Sequence, residues 1–197
     1  MIVRSDPVNA RMPTVDFAFP HAWQAKILPA RPAILPARHF VYPASADEVE
    51  RCALEVLVRP AGKNAQPFLA TCALGFNDPA VPTGLWSAPN PLELCAVSGG
   101  YAYILDTTAP EDFTMIAYRP VLQVHAATAD NLLLFIGHRS ILAWGPGGQA
   151  WESGKLSDEG VTVTAVERGV LRGRGWDLLT DKETPFALDL GNGLRVP

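Results

Sequence analysis

Three tryptophans and a scatter of acids crowd residues 144–181: Trp144, Trp151 and Trp176, with Glu152, Asp158, Glu159, Asp177 and Asp181 around them. Paired carboxylates beside aromatic rings are the equipment of glycoside hydrolysis, in which one acid protonates the leaving oxygen while the other attacks or activates water. Aromatic rings at the mouth of a loop also make contact area for a ligand that needs no chemistry done to it. In "KLSDEG" and "LLTDKE", however, the acids sit where a solvated turn ordinarily carries them. The candidate ligand rim is therefore Trp144, Trp151, Trp176 and Asp177, with binding preferred to catalysis. The alternative is a hydrolase acting on a sugar-like substrate through the loop carboxylates.

The first two tryptophans flank the turn signal "GPGG" within "SILAWGPGGQAWESGKLS". A two-residue turn at Gly147-Gly148 would supply the positive φ angles that primed hairpin turns require. Paired residues then sum to 295, which sets Trp144 directly across from Trp151. A four-residue loop keeps that pair, whereas a three-residue loop with a bulge moves it. On this register Leu142 shares the tryptophans' face while Ile141 and Ala143 point the other way, so the strand is buried on both faces. Glu152, Ser153 and Lys155 follow Trp151 and read as exposed. Trp144 is thus expected in the core and Trp151 nearer the rim.

Other chemistry is thinner. His125 and His138 end up near one hairpin, but a metal site needs a third ligand, and Asp130 lies at the turn itself, too far along the strand. Cys95 with His125 is the sole thiol–imidazole combination worth naming, and its thiol sits in an apolar strand, which keeps it protonated and inert. Calcium on Asp177 and Asp181 lacks the ligand spacing of a dedicated loop. "RGRGWD" enters no helix, so it cannot cradle a phosphate. Trp176 follows this Gly-x-Gly opening, where a large ring can fold over backbone, and Asp177 can accept N–H bonds at the turn. No cofactor and no metal is expected.

The elements that must hold these residues are short strands. Among 197 residues, 18 are proline and 16 glycine, which damages helix interiors and suits turns. Strands are expected at 52–59, 67–76, 92–98, 101–107, 113–118, 121–128, 131–137, 140–145, 149–153, 161–167, 169–175 and 185–190. Their separators ("SGG", "TADN", "GPGG", "ERG", "DLGNG") are too short for crossover helices, so neighbours should be antiparallel. Residues 77–91, with four prolines, read as the longest loop. One helical turn is allowed near 44–53, where Ser45 precedes Glu48 in capping-box order.

"VHAATADNLLLFIGHRSILAWGPGG" and "VTAVERGVLRGRGWDLLTDKETPFALDLGNG" share one rhythm of strand, turn, strand, hairpin and Gly-rich turn, some 40 residues apart. That rhythm resembles the blades of a β-propeller. The expected fold is all-β, mostly antiparallel: a β-sandwich or propeller-like stack of meanders over 46–197, preceded by an extended Pro-rich arm over 1–45. The arm holds a direct repeat, Ile27-Leu-Pro-Ala-Arg31 and Ile34-Leu-Pro-Ala-Arg38. Its prolines bias it to extended backbone, and its Ile and Leu residues read as anchors into the core. Lys26, Pro29 and Pro32 also fit a polyproline-ligand spacing, a pattern too short to outweigh docking.

Charge narrows the partners. The net charge of −4 argues against nucleic acid, which demands neutralised phosphates. Residues 1–46 carry five basic and two acidic groups, leaving eleven basic and eighteen acidic groups in the remainder. No apolar run is long enough for a membrane span, and the first residues lack the apolar core of a secretory signal. Cys52, Cys72 and Cys95 show no C-x-x-C spacing and read as buried free thiols, which favours a reducing, cytoplasmic setting. The expectation is a binding or interaction module whose partner is an unknown protein or small molecule.

Overall fold

The computed structural model describes residues 12–44, 52–62 and 64–197. The chain is all-β: among the described residues 16 strands form four sheets, none closed into a barrel. Sheet 1 runs β2 (Gln24–Ile27), β4 (Ala53–Arg59), β5 (Phe68–Ala73), β3 (His39–Tyr42). Sheet 2 runs β1 (Thr14–Asp16), β6 (Gly84–Ser87), β7 (Glu93–Ser98), β8 (Tyr101–Asp106), β9 (Phe113–Met115). Sheet 3 is a plain meander of β10 (Gln123–Ala127), β11 (Leu132–Ile136), β12 (Ile141–Gly145) and β13 (Gly148–Glu152). Sheet 4 is a meander of β14 (Val161–Glu167), β15 (Val170–Asp177) and β16 (Lys182–Asp189). Pairing is antiparallel except for β1 with β6 and β3 with β5.

Side-chain alternation decides the order of the layers. In β11, "LLLFI", Leu133 and Phe135 pack towards sheet 2 while Leu134 and Ile136 pack towards sheet 4. In β7, Leu94 and Ala96 meet sheet 1 while Cys95 and Val97 meet sheet 3. Such strands are buried on both faces and must be apolar throughout. β15, "VLRGRGWD", alternates instead: Leu171 is buried while Arg172 and Arg174 are exposed, as an end layer requires. The sheets therefore stack in the order 1, 2, 3, 4, with one apolar core in each of the three gaps. Deleting a fully buried leucine such as Leu134 in one of these gaps costs about 2–5 kcal/mol.

The other end layer is finished differently. β2 and β3 lie at opposite edges of sheet 1, so residues 28–38 cross the face turned away from sheet 2. Beneath this strap Glu55 and Thr71 are buried yet satisfied. Arg31 Nε donates to Glu55 Oε1 at 2.7 Å, Thr71 Oγ1 donates to Glu55 Oε2 at 2.6 Å, and His39 Nε2 lies 2.8 Å from Thr71 Oγ1. The second repeat copy uses its arginine too: Arg38 donates to the Gln66 carbonyl and sits over the Phe40 and Phe68 rings. The anchoring expected of both copies holds only for the first. Ile27 packs on the core, whereas Ile34 is 88% exposed, because its copy spans the face while Ile27 ends a paired strand. Lys26 is in β2, paired with Leu57.

Two further expectations change. Residues 77–91 are no mere loop, since Gly84–Ser87 form β6, a fully buried interior strand of sheet 2. Cys52 is exposed, because the apolar alternation begins only after it; Cys72 and Cys95 are buried free thiols. The helical turn expected around Ser45 and Glu48 lies outside the described residues.

Candidate functional site

The tryptophan hairpin turns differently from the 295 register. A primed turn at Gly147-Gly148 would make Pro146 a paired strand residue, which its missing N–H disfavours, whereas its fixed φ near −65° suits the first central position of an ordinary turn. The loop is therefore Pro146-Gly147, with Gly145 opposite Gly148, whose φ of 107° only glycine tolerates easily. A register shift follows, so that Trp144 opposes Gln149 and Trp151 opposes Ala143. The two tryptophans consequently occupy opposite faces. Trp144 joins the core between sheets 2 and 3, and Trp151 the core between sheets 3 and 4. Their exposures are 7% and 8%, so Trp151 is no nearer the rim than Trp144. Both indoles are satisfied: Trp144 Nε1 donates to Glu93 Oε2 at 2.8 Å and Trp151 Nε1 to the Leu190 carbonyl at 2.6 Å.

Trp176 and Asp177 do line a hollow, of about 280 Å³, together with Leu156, Ser157 and the Lys155–Asp158 ion pair. Asp177 Oδ1 accepts the Leu179 and Thr180 N–H groups, as a turn aspartate should, and Asp158 Oδ2 accepts that of Leu178. Leu178 and Leu179 project from this turn, 67% and 96% exposed. The ring folded over the Gly-x-Gly strand is Phe186, against Gly173, rather than Trp176.

Of the other loop acids, Glu159 and Asp181 make no side-chain hydrogen bond or ion pair among the described residues, and Glu152 is engaged outside the hollow. Glu152 accepts the Tyr118 hydroxyl, which also contacts Ser140. Burial raises the Tyr118 pKa, so it stays a phenol and cannot act as a base for Ser140. Lys155 beside Asp158 holds that carboxyl below its usual range. Among the described residues the carboxyl with a raised pKa is Glu93, through burial, opposed by the Trp144 and Asn90 hydrogen bonds. Its cross-strand neighbour Asp106 is occupied capping the Thr108 and Ala109 N–H groups. Cys95 is pushed far up by burial and does not serve as a thiolate. His125 opposes Leu134, while His138 lies beyond the far end of β11 from Asp130. Among the described residues no group of three metal-ligating side chains assembles.

A larger site opens where sequence reasoning placed only a loop. The cleft between sheets 2 and 3, about 750 Å³, is walled by β1, the 74–83 connection and the start of β10. Phe76, Val81, Trp86, Leu122 and Val124 supply apolar surface; Asp16 and Asp78 supply charge of one sign, and among the described residues no Lys or Arg lines it. Met12 and Phe76 in its wall are 86% and 42% exposed, and Val15 beside them 56%. β1 is seated by Gly84, where any Cβ would lie 2.0 Å from the Thr14 carbonyl oxygen. Three remote stretches make this cleft, so no local motif announces it; the one sequence signal is Trp86 standing alone in a Pro-rich segment. No protein-family model matches the chain, and a comparison with curated proteins finds no match either.

Proposed function

We propose that this chain is a non-catalytic binding module and that the cleft between sheets 2 and 3 is its working surface. The carrying observation is the coincidence of cavity and exposed apolar side chains: Met12 and Phe76 are left uncovered in the wall of a space of about 750 Å³. That volume falls within the range of ligand sites, and the lining divides about evenly between apolar and polar surface, which suits a ligand carrying both. The hollow at Trp176 and Asp177 is the second, smaller place for a ligand. The engagement of Glu152, Asp158 and Asp177 in hydrogen bonds, a turn and an ion pair favours binding over sugar hydrolysis. The four stacked sheets, two of them plain meanders, read as propeller-like blades in an unclosed row, and the two buried free thiols suit a reducing, cytoplasmic setting. With an acidic chain, partners are proteins or small molecules rather than nucleic acid.

The test is a thermal-shift screen of metals, sugars, nucleotides and short peptides. A ligand present at 100 times its Kd stabilises by about 2.7 kcal/mol, which at this chain length moves Tm by about 5–10 °C. The cleft is supported by shifts that survive Asp177→Ala and vanish in the cleft-filling Val124→Trp. The opposite pattern moves the site to the Trp176 hollow, and turnover of an aryl glycoside restores the hydrolase alternative.

A further inference from the structure

We infer that the occupant of the cleft is an extended peptide with a basic side chain, added edge to edge along β1; this rests on the binding reading of the same cleft. Among the described residues, β1 is the terminal strand of sheet 2. The Thr14 N–H is spent on the Thr83 carbonyl at 2.9 Å, on the β6 side. Successive residues of a strand turn their backbone groups to opposite edges, so Val15 presents its N–H and C=O to the side that no described strand covers. An edge of this kind is a template for another strand.

The side chains around that edge specify what would pair with it. Thr14 and Asp16, two residues apart, both face the cleft, as do Leu122 and Val124 from β10 across it. A strand laid beside β1 sends every second side chain into this space. The position beside Thr14 meets apolar surface, and the position beside Asp16 meets a carboxylate that has no ion pair or hydrogen bond among the described residues. Asp78 adds a second negative charge, and with no cation among the described lining residues the field inside favours a lysine or arginine. The intervening side chain lies beside Val15, in solvent. The recognised pattern is therefore apolar, any, basic, in an extended segment.

The assay is fluorescence polarisation with the labelled peptide Thr-Val-Thr-Lys-Thr, end-capped, against the intact protein. Thr-Val-Thr-Glu-Thr should bind at least about tenfold more weakly, because like charges meet in a cleft. N-methylation of alternate amides, which removes the ladder donors, should abolish binding. Asp16→Asn should weaken the lysine peptide about threefold to tenfold and flatten its salt dependence. Equal binding of the lysine and glutamate peptides, or indifference to N-methylation, overturns the inference. If small molecules give Val124→Trp-sensitive shifts while the peptides do not bind, the peptide inference fails and the cleft stands as a site. If neither binds, both fail.

Discussion

Gly84→Ala tests how β1 is held, and with it one wall of the cleft. A Cβ at this position would lie 2.0 Å from the Thr14 carbonyl oxygen and 2.8 Å from the Thr14 nitrogen and carbonyl carbon. Ordinary contact needs about 3.5–4.0 Å, and every atom struck is backbone, so no rotamer change relieves the clash. Gly84 is not among the glycines of positive φ, so alanine suits its conformation and gains about 0.4–1 kcal/mol by restricting the unfolded chain. Against this stands overpacking, typically about 1–3 kcal/mol. The net loss is about 1–2 kcal/mol, or a fall in Tm of about 2–8 °C for a chain this long. The local effect should be larger, since β1 must retreat by more than the bond from Thr14 N–H to Thr83 oxygen can stretch. Hydrogen exchange read by mass spectrometry should show residues 12–17 losing protection while β7 and β8 keep theirs. Unchanged Tm together with unchanged protection at Thr14 would refute the claim that the absence of a side chain at 84 is what seats β1.

Glu93→Gln should raise Tm at pH 7 and leave it nearly unchanged at pH 4. Burial raises the folded-state pKa of Glu93 above its unfolded value, so its contribution is intact in acid and is lost as pH rises through the folded value; glutamine escapes that loss. Arg31→Ala leaves the buried Glu55 carboxylate with Thr71 alone and should cost about 1.5–3 kcal/mol in urea unfolding, a charged hydrogen bond's worth. Thiol titration of the native protein should find Cys52 reacting at once, with Cys72 and Cys95 reacting only in denaturant.

The fold was largely legible because layer position is written into alternation. "LLLFI" has no polar face and "VLRGRGWD" has one, so the first must be an inner layer and the second an end layer. Short strands with tight turns gave the meanders. What escaped was set by context rather than pattern. "GLWS" is four residues among prolines, too short to show a period, yet it occupies the interior of sheet 2. The hairpin register turned on Pro146, whose fixed φ selects the turn type, and on a bulge that no composition reveals. The site was least legible of all. Trp144 and Trp151 drew attention as rare large residues, but their size is what cores use, and each found a partner for its N–H. The cleft gathers residues from 12–16, 74–86 and 122–124, which become neighbours only when sheets 2 and 3 stack.

The proline strap has a consequence for solubility. A row of sheets that does not close on itself is an unterminated repeat, able in principle to accept one more layer at either end. Sheet 4 presents exposed arginines and Glu183 at its outer face, which discourages addition. Sheet 1 carries Leu57 and the fully buried Leu69 on its outer side, a surface fit for stacking. The strap covers it, serving as the terminal cap does in solenoid proteins. Once released, that face would find its match in the same face of a second molecule, since the charged face of sheet 4 resists it, and a contact of like with like closes as a pair. Arg31, by pinning the strap to Glu55, keeps that face covered.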